Sequence, residues 1–322
     1  MKNKLFTIIR IIISLSLIGL LIWLMRDKLP SIFSTIKSSN KSLLISGFLV
    51  YLLATLIIAV RLRKVISVQS IDITPKEACY LTFIGYFFNN FLPTSFGGDF
   101  VKAHYAGKKS NNKAGAFAGV FMDRVLALLP FTLVPIVTIT FFARNIANKP
   151  LLIVVYSLFA GCVVIIWFLL HKNTAKYFTF LLEPFRNAQW VAKIKDGYGY
   201  LNTYSNHKIV LSWSFFLSII AQVLSVIAVH FFARSLGIYT LGVGIFFIVV
   251  PLAWIMTLIP SLNGLGVREG AFIFLLKGYI PADKAFAISI LVLATITALG
   301  IMGGIIYMLK KSSFSVKGED VE

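Results

Sequence analysis

Acidic side chains are scarce in this chain, with 12 Asp and Glu against 31 Lys and Arg in 322 residues, a formal net charge of +19. Histidine and cysteine are scarcer still, at four and two. Cys79 and Cys162 stand in or beside apolar runs, and no histidine joins a His-x-x-x-His or Cys/His cluster. The spacing that a metal site or a disulfide framework needs is therefore missing. A nucleotide-binding glycine loop, a Ser-His-Asp set and a pair of catalytic carboxylates are missing as well, so neither a cofactor nor an enzymatic activity is expected. Polar stretches are few: 58% of the residues are hydrophobic and the mean hydropathy is +0.87, which excludes a soluble domain. In that setting the basic excess does not indicate nucleic acid. It falls mostly between apolar runs, where it sets orientation and attracts anionic lipid headgroups at the cytoplasmic face.

What is present is a series of apolar segments. An uncleaved first span is expected up to Met25 after Lys2, Lys4 and Arg10, because no small-x-small cleavage site follows it. Further full spans are expected over Leu43–Val60, Ala114–Phe142, Leu151–Leu170, Ile209–Phe232 and Lys284–Leu309. Arg61-Leu62-Arg63-Lys64 marks the cytoplasmic end of the second. Two further segments, Ala78–Leu92 and Thr240–Lys277, are interrupted and read as re-entrant. The expected divisions are a first span and external loop over 1–42, a first membrane half over 43–170, a cytoplasmic amphipathic connection over 171–208, a second half over 209–311 and a short cytoplasmic tail over 312–322. The expectation is an all-α integral membrane protein with six full spans, two re-entrant broken helices and cytoplasmic termini. The two halves run in opposite senses, as an inverted-topology repeat.

The two interruptions resemble each other. Pro260-Ser261-Leu262-Asn263-Gly264-Leu265-Gly266-Val267-Arg268-Glu269 breaks one apolar run; Pro93-Thr94-Ser95-Phe96-Gly97-Gly98-Asp99-Phe100-Val101-Lys102 breaks the other. Pro93 matches Pro260 and Gly97 matches Gly264, and a carboxylate and a cation follow in each. Proline removes a backbone donor and glycine permits angles a continuous helix forbids. Non-helical backbone at membrane depth survives only when protein or a wet cavity surrounds it, and ionisable groups there point to function. Two broken segments at corresponding places of two halves point to a binding site between them.

Asn89-Asn90-Phe91-Leu92-Pro93, Gly97-Gly98-Asp99-Phe100-Val101-Lys102, Asp123-Arg124-Val125 and Pro260-Ser261-x-x-Gly264-x-Gly266-Val267-Arg268-Glu269 together resemble the lysylphosphatidylglycerol synthase transmembrane-region family, also called flippase-like. The resemblance covers nearly the whole chain. It implies a multi-pass protein of a bacterial-type inner membrane that moves an anionic phospholipid, an aminoacyl-phospholipid or a polyprenyl-phosphate-linked sugar between leaflets. The soluble aminoacyl-transferase domain of the full synthases is expected to be absent here, since only a short tail follows Lys311. The family's Glu-Arg pair reads Asp123-Arg124 here, and its Arg after Gly-Asp reads Lys102, which lacks the bidentate fork.

Substrate contact is expected at Arg268, Lys102, Asp99, Glu269, Gly264, Gly266, Asn263, Asn89 and Asn90. Arg268 offers a planar fork suited to phosphate, and Gly264 and Gly266 can present backbone N–H groups beside it. A structural role is expected at Pro93, Gly97, Gly98, Asp123, Arg124 and Pro260. A second use is open to the charged pairs, in which they neutralise one another and hold the broken helices together. Two other functions also stay open. One is a membrane-embedded transferase with Asp99 or Glu269 as base, and the other is an accessory subunit of a lipid-modifying enzyme.

Overall fold

The computed structural model describes residues 29–91, 97–142, 149–171, 197–259 and 263–310, together with Trp23, Arg26 and Ser261. The described residues form helices and turns without strands. The longer helices are α1 (Leu29–Lys37), α2 (Lys41–Ser67), α3 (Pro75–Phe91), α4 (Gly97–Ser110), α5 (Lys113–Phe142), α6 (Lys149–Leu170), α7 (Lys208–Ser235), α8 (Val243–Met256), α9 (Val267–Leu275) and α10 (Ala282–Lys310), and a short helical stretch over 197–206 precedes α7. Five of them, α2, α5, α6, α7 and α10, are long and apolar enough to cross a membrane. These are five of the six expected spans. The first span falls outside the described residues, as do most of the 171–208 connection and the tail after Lys310.

The remaining helices are too short to cross. At ~1.5 Å per residue, α3 reaches about 25 Å and α9 about 14 Å, against a hydrocarbon layer of roughly 30 Å. α3 begins with a capping box: Thr74 N–H donates to Glu77 Oε2 at 2.7 Å, and Glu77 N–H to Thr74 Oγ1 at 3.3 Å. α4 then returns beside it, so that Lys109 near its end bonds Glu77 near the start of α3 at 2.7 Å. Asn112, beyond α4, donates to the Gln69 carbonyl ahead of α3 at 3.2 Å. Both ends of the α3–α4 hairpin thus emerge on one side, as a re-entrant element must.

The second half repeats the first in an unbroken register. Helix starts at residues 41 and 208, left-handed turn residues at 70 and 237, glycines at 97 and 264, and left-handed turn residues at 111 and 278 each stand 167 residues apart. Packing follows the same exchange: α2 pairs with its own counterpart α7, while α3 packs on α10 and α8 on α5. The α2–α7 pair is antiparallel, since Gly47 lies against Phe232 and Arg61 bonds Ser218 at 2.9 Å. The repeat is therefore inverted. Small residues set the closest approaches, as expected where lipid supplies no hydrophobic drive between helices. A Cβ at Gly303 of α10 would overlap the Phe83 carbonyl of α3, and one at Gly304 would sit 2.7 Å from the Phe87 ring. The main apolar core joins α7, α8, α9 and α10 around Phe232, Phe246 and Phe272.

Three expectations need correction. The external loop within 1–42 contains α1, whose Ile32 and Ile36 pack into the main core. The span expected over Leu43–Val60 continues to Ser67, so Arg61 is not at an aqueous end: it is 5% exposed and helical. The non-helical first break does not extend to Gly98. α4 already begins at Gly97, because Asn89 Oδ1 accepts the Gly98 N–H at 2.7 Å and a Cβ-free Gly98 can lie on the Gly85 carbonyl. Residues 92–96, including Pro93, lie outside the described residues, as does Pro260.

Candidate functional site

The first break carries a carboxylate shared by two cations. Asp99 Oδ1 accepts from Lys102 Nζ at 3.0 Å, one turn along α4, and Asp99 Oδ2 accepts from Arg124 Nε of α5 at 2.7 Å. Asp99 and Lys102 side chains are 12% exposed and Arg124 is 38% exposed. The Lys102 stem runs over Gly85 of α3, where any Cβ would overlap it. The missing side chain at Gly85 is what lets Lys102 fold back onto Asp99.

The second break is a turn over 263–266 with φ of +46° at Asn263, +75° at Gly264 and +81° at Gly266. Gly264 also packs against Thr257, whose Cγ2 would lie 2.6 Å from an added Cβ, so both its angle and its space exclude a side chain. The turn ends in half of a capping box, since Gly266 has no side chain to return the bond: Glu269 Oε2 accepts the Gly266 N–H at 2.6 Å. Glu269 Oε1 accepts from Arg268 Nη2 at 2.8 Å and Nε at 3.2 Å. Arg268 is 1% exposed, and its Nη1 is buried without a hydrogen-bond partner among the described residues.

Asn90 and Asn263 join the two breaks. Asn263 Nδ2 donates to Asn90 Oδ1 at 2.6 Å, and Asn90 Nδ2 reaches the Ile296 carbonyl of α10 at 3.5 Å. The close approach of α10 to α3 at Gly300, beside Asn90, makes room for this bridge.

The candidate residues therefore divide. Asn90 and Asn263 meet across the halves, whereas Asn89, Gly97, Gly98, Asp99 and Lys102 assemble at the first break and Gly264, Gly266, Arg268 and Glu269 at the second. Each basic residue keeps a carboxylate of its own half. The Gly266 N–H, expected to be open to a ligand, is taken by Glu269 in this state.

Asp123 and Arg124 point to different helices. Asp123 receives two bonds from Arg61, Nε to Oδ1 at 2.7 Å and Nη2 to Oδ2 at 3.0 Å, while Arg61 Nη1 donates to Ser218 Oγ at 2.9 Å. This buried fork ties α2, α5 and α7 together. Sequence reasoning missed Arg61, although an acidic residue in an apolar span signals a cation near it. It also missed that Arg124 belongs to the Asp99 cluster.

Antiparallel helical halves, each interrupted by a charged re-entrant hairpin and meeting at the interruptions, define a multi-pass membrane protein with an inverted repeat. Within that class, residues 8–304 match the family described as the lysylphosphatidylglycerol synthase TM region, and the chain belongs to that family. It is similar to UPF0104 membrane protein MJ1595 of Methanocaldococcus jannaschii, with 23% identity over 306 residues, covering 88% of each chain. No solved structure matches.

Proposed function

We propose that the protein moves an anionic lipid headgroup between leaflets through the junction of its two breaks, with the acyl chains remaining in the bilayer. The observation that carries this reading is the Asn90–Asn263 contact at 2.6 Å, which brings two broken hairpins of opposite sense together, each bearing cations matched by a carboxylate. An isolated charge in hydrocarbon is strongly unfavourable, so the headgroup and not the tails sets the barrier. Fixed donors in a wet groove lower it. Asp99 and Glu269 offset most of the positive charge of the empty site, so an arriving phosphate exchanges partners with a carboxylate and is not trapped between bare cations.

Arg268 is enclosed in this state, so transport through it requires the second hairpin to open. Its unpartnered buried Nη1 supports a site that is satisfied in another state, because an unmet buried donor costs about 1–3 kcal/mol. The substrate class is a lipid phosphate: phosphatidylglycerol, its aminoacyl derivatives and polyprenyl-phosphate sugars share that group. Reconstitution of the purified protein into liposomes with fluorescent phosphatidylglycerol tests the reading. Lipid should become accessible to a membrane-impermeant quencher faster than in protein-free liposomes. Equal rates contradict translocation, and a chemically altered lipid without movement indicates a transferase.

A further inference from the structure

We infer that an anionic phospholipid docks from the side of the protein onto the α4–α5 face, its phosphate at Arg124 and Lys102 and an acyl chain along Phe100, Phe117 and Phe121. On α5, Phe117, Phe121 and Arg124 share one face by their helical spacing. Phe100 follows Asp99 on α4 and packs on Phe117 with ring centroids 5.8 Å apart. The three rings are 60%, 43% and 50% exposed for Phe100, Phe117 and Phe121, which makes a continuous apolar track beside the charges.

Apolar exposure alone is ordinary for a membrane helix. The charge beside it is not. Arg124 stands about 16 Å along α5 from Lys113, well inside a hydrocarbon layer of roughly 30 Å. There it is 38% exposed, against 1% for Arg268. An accessible guanidinium at that depth is costly unless it has a counter-charge. Among the described residues, Asp99 provides one negative charge for two cations, Lys102 and Arg124. The anion that a bilayer supplies to a site with an apolar flank is a lipid phosphate, and the guanidinium fork is shaped to take it. Lys108, Lys109 and Lys113 at the same end of the hairpin lie where headgroups would be drawn in.

This site deepens the translocation reading by giving the lipid its place of entry, but its test reads binding alone. Phe117→p-benzoylphenylalanine protein is placed in bilayers of equal phosphatidylglycerol and phosphatidylcholine, irradiated, and its lipid adducts are counted by mass spectrometry. The anionic lipid should predominate about fivefold or more, the preference expected from one added cation contact. Phe216→p-benzoylphenylalanine, on the exposed face of α7, should show the bilayer ratio. Arg124→Gln should bring the Phe117 adducts to that ratio, and Arg124→Lys should keep most of the preference. Where Arg124→Gln fails to elute as a single species on size exclusion, Lys102→Gln serves in its place. An even adduct ratio at position 117, or a preference unchanged by both neutral variants, overturns the site. A retained preference in protein that moves no lipid overturns translocation and leaves this site standing. Transport with an even ratio does the reverse.

Discussion

Asn90 and Asn263, 173 residues apart in sequence, are joined by a hydrogen bond of 2.6 Å between their side-chain amides. Asn90 lies in the last turn of the first helix of one hairpin, and Asn263 begins the left-handed turn of the other. If the headgroup path runs between the hairpins, this bridge closes it.

Locking the bridge should therefore stop transport. With Cys79 and Cys162 replaced by Ser, Asn90→Cys and Asn263→Cys joined by a short reducible bis-thiol crosslinker should be inactive in liposomes. Activity should return on reduction. Full activity in crosslinked protein contradicts a path between the hairpins.

The Arg61–Asp123 fork is a stability element. Removing one partner of a buried pair leaves an uncompensated charge, at a cost of about 3–5 kcal/mol. Arg61→Ala and Asp123→Ala should each lower the thermal midpoint in detergent sharply. The pair Arg61→Met with Asp123→Leu should recover much of the loss, since it leaves no stranded charge. Single variants as stable as the parent contradict the brace.

Glycine substitutions separate crowding from flexibility. Gly303→Ala should destabilise the α3–α10 contact, because the added carbon meets the backbone at Phe83, which cannot move aside. Gly270→Ala on α9 meets nothing within 4 Å and should be neutral or stabilising by about 1 kcal/mol. Thermal midpoints of the two variants in the same detergent check the contrast.

Much of this architecture is legible in sequence, because lipid imposes strong rules. Pro93 with Pro260 and Gly97 with Gly264 reveal both breaks, and the short apolar run before Pro93 reveals a hairpin that cannot span. Depth is less legible. Arg61-Leu62-Arg63-Lys64 has the chemistry of a membrane boundary, yet the helix runs on to Ser67 and Arg61 turns inward to Asp123. Pairings between helices are not legible at all from one chain. Arg124 finds Asp99 across the α4–α5 turn, and Asn90 finds Asn263 only after the halves interleave. The glycines of α10 announce close packing without naming α3 as the partner.

The distribution of basic residues predicts that the N-terminus, the 171–208 connection and the tail are cytoplasmic. With native cysteines removed, Gly197→Cys or Ser312→Cys in intact cells should resist a membrane-impermeant maleimide and react after permeabilisation. Labelling of Ser312→Cys from outside contradicts cytoplasmic placement of the tail.

The central claim is that the enclosed Arg268–Glu269 pair takes part in moving a lipid phosphate. Arg268→Ala alone is a poor probe, since it strands the Glu269 carboxylate at 5% exposure. The variant carrying both Arg268→Gln and Glu269→Gln removes both charges, and Gln can still accept the Gly266 N–H. The measurement is the rate of fluorescent phosphatidylglycerol exchange between leaflets in liposomes holding equal amounts of wild-type or doubly neutral protein, both verified as folded. The account predicts that the doubly neutral protein falls to the protein-free rate. Exchange at the wild-type rate would contradict it and leave the pair as a brace for the broken helix.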